Sequence, residues 1–97
     1  MATRLGKYEL AENEVKPCKL PQKAESAFNA IMEKVTGANY DPVLYVGKQL
    51  VNGTNYCIIA VQTLVIPSKP TRLVKMIIHE ALDRKTYTVR SIRELEL

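Results

Sequence analysis

His79 is the only histidine in this chain, and Cys18 and Cys57 are its only cysteines. His79 could serve as a general base, but no nucleophile stands at a recognisable spacing from it. A metal site would need more ligands than one histidine and two distant cysteines. No glycine-rich phosphate loop is present either. Gly47 interrupts a strand-like run and reads as a bulge or a close backbone approach. The expectation is therefore a non-enzyme with no catalytic residues, metal or cofactor. On a strand, His79 reads as a surface or sheet-packing residue. Cys57, inside an apolar run, reads as a small buried or half-buried residue. A disulfide to Cys18 is allowed but not implied.

What remains is a binding surface. Asn52-Gly53 lies between two β-rich runs, the strongest short-range hairpin signal, and both residues suit the positive φ of a type I′ turn. The residues entering the turn are Leu50 and Val51. A hairpin tip points at solvent, so apolar residues there suggest a surface built to enter something. Asn52-Gly53-Thr54 is also a formal N-glycosylation sequon. A glycan there would cap the tip, and the sequon is read as unused.

Several elements must carry that tip. Residues 1 to 20 contain Pro17 and many charges without a clear period, and read as an extended arm, with a short strand at most. Pro21 suits a first helical position. Ala24, Ala27, Phe28, Ile31 and Val35 then recur at helical spacing, giving a helix of about 15 residues. Gly37 fits its C-terminal cap. Residues 42 to 50 and 54 to 66 form the first hairpin. With Val51 facing Thr54, Val46 faces Ile59 and Leu44 faces Val61. The second of these strands is apolar on both sides, with Ile58, Ala60 and Leu64 on one and Cys57, Ile59, Val61 and Val65 on the other. Pro67-Ser68-Lys69-Pro70 is a break. Residues 73 to 80 and 86 to 92 make a second hairpin around residues 81 to 85. The fold class is α+β: a four- to five-stranded antiparallel sheet wrapped around one helix, as a single domain over 1–97.

Ninety-seven residues with 46% apolar and 25% charged content suit one small globular unit. There is no run of about 18 apolar residues. No signal-peptide pattern opens the chain, so the expected location is cytoplasmic, or secreted if a signal has been removed. The net charge of +4 could indicate nucleic acid. The cations are scattered and interrupted by Glu80, Asp83, Glu94 and Glu96, so neither nucleic acid nor membrane is expected as a partner.

Gln49-Leu50-Val51-Asn52-Gly53 fits the Gln-x-Val-x-Gly signature of the cystatins, and Thr54-Asn55-Tyr56 continues the match. With the preceding helix and the strand order, residues 22 to 80 resemble a cystatin, nearest in size to the disulfide-free stefins. The resemblance implies a cystatin-like fold and reversible, non-covalent inhibition of papain-like cysteine proteases. In that family a glycine in the N-terminal arm, the first hairpin tip and a second hairpin tip form a wedge. Gln49, Val51 and Gly53 match the signature residue by residue, with Leu50 and Asn52 between them. Gly6 stands for the arm glycine, and Leu82 for the apolar residue of the second tip. Asp83 departs from the pattern, replacing a proline or tryptophan, and a charged tip should weaken insertion. Val51 and Gly53 are expected to carry binding energy without carrying the fold. The alternative is a non-inhibitory module that binds another protein or self-associates. A homodimer formed by exchange of the first hairpin is expected as a further partner state.

Overall fold

A computed structural model describes residues 8–10, as backbone, and 20–95. The helix, α1 (Gln22–Met32), begins after Pro21, which stands at the N-cap with ψ 153 rather than inside the first turn. Ala24, Ala27, Phe28 and Ile31 form its buried stripe, with the i, i+3, i+4, i+7 spacing of one helix face. The helix is shorter than its sequence pattern. Its last turn tightens as Lys34 and Val35 donate to the carbonyls of Ile31 and Met32, and β-branched Val35 and Thr36 do not extend it. Gly37 is therefore not the helix cap. At φ 84 it turns the chain into the sheet, where its carbonyl accepts from the Val65 N–H.

The sheet is antiparallel and open, built from β1 (Tyr8–Leu10), β2 (Ala38–Val51), β3 (Gly53–Leu64), β4 (Thr71–Glu80) and β5 (Tyr87–Glu94), in that spatial order. The four long strands follow one another as hairpins, with short β1 beside β2. Ile58, Val74, Met76 and Ile78 point to the helix and are fully buried. Each such side chain contributes roughly 1.5–3 kcal/mol on leaving water. Ala24 and Ala27, also fully buried, let the helix lie close to them.

The first hairpin is tighter than Asn52-Gly53 implied. Leu50 stands opposite Thr54 and Val51 opposite Gly53, leaving Asn52 alone at the apex. Among the tip residues only Gly53 takes a positive φ, at 109, so this is not a type I′ turn, which needs two. Register shifts between Pro42 and Leu44 and between Tyr45 and Gly47 then move the pairing further. Leu44 faces Ile59, and Asp41 faces Val61. Gly47 sits at the second of these bulges, where a strand glycine belongs. β3 does have two apolar sides. Ile58 and Ala60 are fully buried on the helix side, and Cys57 is buried on the other, with Ile59 and Val61 half-buried. Leu64, Val65 and Ile66 are exposed, and the last two lie beyond the strand.

Candidate functional site: the hairpin end

Three elements meet at one end of the sheet. β1 runs antiparallel to β2 with its first residue, Tyr8, opposite Gln49. The first hairpin turns at Asn52. Thr54 pairs with Glu80, so the loop 81–86 between β4 and β5 emerges beside that turn. Of the residues expected to bind, Gln49, Leu50, Val51, Asn52, Gly53 and Leu82 all lie at this end. Gly6 lies outside the described residues, as does Cys18. Leu50 is 40% exposed on the helix side of the sheet and Leu82 is 72% exposed at the loop. Asn52 is exposed and Val51 half-buried.

Gly53 differs from its neighbours. It is buried, and a Cβ placed on it would run into the Glu80 carbonyl oxygen and lie 2.8 Å from Cε1 of His79. No side chain fits that space, and positive φ disfavours one anyway. Gly53 therefore carries the fold, contrary to the expectation that it serves binding alone. Its missing side chain is what seats the tip on the end of β4.

A polar chain braces the tip from the face away from the helix. Asn55 Nδ2 donates to Gln49 Oε1 at 2.9 Å. This leaves Asn55 Oδ1 to accept from His79 Nδ1 at 2.7 Å, and so places the ring proton on Nδ1. Gln49, Asn55 and His79 stand in register across β2, β3 and β4. His79 is 8% exposed, so it is a sheet-packing residue that also ties the tip to the adjacent strand. Local sequence spacing assigns neither Asn55 nor His79 to the tip. Their cross-strand pairing would have named them once the β3–β4 register was known.

The helix side of the same end holds a cleft of about 350 Å³. It is lined by the first turn of α1 together with Lys48, Leu50, Tyr56, Glu80 and Arg84. Glu80 is fixed by two phenols: Tyr56 donates to Oε1 at 3.1 Å and Tyr87 to Oε2 at 3.3 Å. Burial, reinforced by the Glu80 charge, pushes the pKa of both phenols above the ordinary tyrosine range. Burial also raises the Cys57 thiol, which is free. A raised pKa leaves little reactive thiolate.

Loop 81–86 closes on itself. One oxygen of Asp83 accepts from the N–H groups of Lys85 and Thr86 at 2.8 Å and 2.9 Å, and the other from the Thr86 hydroxyl at 2.9 Å. These bonds, the Lys85 N–H first, hold its carboxyl below the usual range. Asp83 is thus a loop-closing residue, and the side chains left to face outward are Leu82, Arg84 and Lys85. Among the described residues, no three histidine, cysteine or acidic side chains come together as a metal ion would need. Among the described residues, no helix is long and apolar enough to cross a membrane. Comparison with protein-family models, with curated proteins and with solved structures gives no match for this chain.

Proposed function

We propose that this chain is a reversible, non-covalent inhibitor of papain-like cysteine proteases, of the cystatin kind, entering the active-site cleft with the Gln49–Gly53 tip. The supporting observation is the convergence of the start of β1, the first tip and loop 81–86 at one end, with the tip already braced by Asn55 and His79. A braced tip loses little ordering entropy on docking. Val51 and Asn52 at the tip and Leu82 in the second loop supply the contact surface. Gly53 lets the tip sit against β4, and Gln49 anchors the strand that leads into it. The Asp83 carboxylate is turned into its own loop, which lessens the objection that a charge stands at the second tip.

Titration of active-site-counted papain tests this. Stoichiometric loss of activity is expected. Val51→Asp would put an unpartnered charge where the cleft takes an apolar group, a cost of at least a few kcal/mol. It should weaken inhibition more than about tenfold and change the unfolding free energy by less than about 1 kcal/mol. No inhibition at micromolar protein, or unchanged inhibition by the variant, would overturn the wedge.

A second reading, a self-associating module, draws on the sheet face away from the helix. Leu44, Ile59, Val61, Leu73 and Ile77 are half-buried there without an element over them among the described residues. Light scattering across micromolar to millimolar concentrations separates the two.

A further inference from the structure

At the hairpin end the acids are engaged internally and the bases are not. Among the described side chains, two carboxylates belong to the cleft and its two loops, Glu80 and Asp83. Glu80 accepts from two tyrosines and Asp83 from its own loop. Lys23, Lys48 and Arg84 line the cleft, and Lys85 follows in the loop. None of these four side chains has a hydrogen-bond or ion-pair partner among the described residues. Glu9 pairs with Lys48 across β1 and β2, so among the described residues four cations stand against three carboxylates, and this end keeps a positive balance centred on Arg84 and Lys85. Arg84 is held at φ 59 by the turn that Asp83 closes, so its position is set by the loop.

We infer that the surface met by loop 81–86 and the adjoining cleft belongs to a protein partner whose rim is acidic on that side. The inference rests on the protease-inhibitor reading and adds the charge of the enzyme it suits. A protein fits better than a nucleic acid because Leu50 and Leu82 are large apolar side chains exposed at this end. Among the described side chains of this end no aromatic ring is offered for base stacking: Tyr45 and Tyr56 are buried and Tyr87 is half-buried on Glu80. Apolar contact ringed by unpaired cations suits a groove rimmed with carboxylates, and such complementarity acts mainly on the rate of association.

The probe is papain in two forms: native, and succinylated on its lysines while the active-site thiol is protected as a mixed disulfide. Succinylation turns each modified amine into a carboxylate. Association rates are read from progress curves at about 0.02 M and about 0.5 M NaCl, between which the screening length falls from about 20 Å to about 4 Å. The chain should associate with succinylated papain at least about fivefold faster than with native papain at low salt, and lose that advantage at high salt. Arg84→Glu with Lys85→Glu should abolish or reverse the preference. Lys34→Glu with Lys69→Glu, an equal charge change at the opposite end, should keep it. Arg84→Gln with Lys85→Gln, a milder pair of changes in exposed side chains, should reduce it while leaving the melting midpoint in place. Equal rates with both papains, or equal losses from both charge reversals, would overturn the inference and leave the inhibitor reading standing. Failure to inhibit either papain would remove that reading and the inference with it. Binding of a mixed-sequence single-stranded oligonucleotide that depends on Arg84 and Lys85, without any preference between the papains, would overturn it in favour of nucleic acid.

Discussion

Taking β4 away from the first hairpin tip would leave Gly53 without the backbone it rests on and Asn55 without His79. Loop 81–86, which emerges beside it, would keep all three bonds to Asp83, because it makes them within itself. The two loops emerge together yet are held differently. The first is fixed by residues distant in sequence, so its shape depends on the whole sheet. The second is fixed by contacts two and three residues apart, and its outward side chains are free of structural duty. At Gly53 and Asn55 in the first hairpin, then, any change is also a folding change, whereas the outward side chains of the second loop can change without one.

Gly53→Ala should show the largest effect. The new Cβ overlaps the Glu80 carbonyl, and φ 109 is strained for alanine. A loss of about 2–4 kcal/mol is expected in chemical denaturation. An unchanged midpoint would mean that the tip is not seated on β4. His79→Ala comes next. It leaves Asn55 Oδ1 unpaired, a cost of about 1–3 kcal/mol. A double-mutant cycle with Asn55→Ala should recover a coupling energy between the two residues, and additive losses would break the proposed brace.

Alkaline pH probes the phenols shared by both regions. Tyr56 and Tyr87 keep their protons in the folded chain above the pH at which free tyrosine loses its own, about 10. Their contribution is complete below that value and is lost as pH rises through the raised folded values. The melting midpoint should therefore fall above about pH 10, with a shallower fall in Tyr56→Phe. An equal fall in that variant would refute the Tyr56 contribution.

Asp83→Ala should do least to the fold and most to local motion. The midpoint should barely move, while amide exchange at Lys85 and Thr86 should quicken. The lowered Asp83 carboxyl gives the matching pH dependence. Loop closure is present above the ordinary carboxylate pKa and lost as pH falls through the lowered one. Unaltered exchange at these two amides would show that something other than Asp83 holds the loop.

Local signals announced most of the architecture. The Ala24, Ala27, Phe28, Ile31 stripe and the breaks at Pro21, Asn52-Gly53 and Pro67 fix one helix and the order of four strands. Register was less legible. Placing Val51 opposite Thr54 assumed a two-residue turn, while the actual apex depends on Gly53 meeting β4, a contact that no local spacing records. The bulges at Pro42–Leu44 and Tyr45–Gly47 shift the pairing further, and only Gly47 hinted at one of them. The tip residues were legible as a motif. The brace from His79 was not, because it needs the β3–β4 pairing. Asp83 looked like an obstructing charge because its type is visible in sequence and its hydrogen bonds are not.

The self-closing loop also bears on how such a molecule can diversify. A segment that supplies its own ends and closure can change its outward residues while the rest of the chain stays constant. Randomising Leu82 and Lys85 while keeping Asp83, Arg84 and Thr86 would make a small display library on a fixed frame. Members of that library should differ in what they capture far more than in how readily they fold.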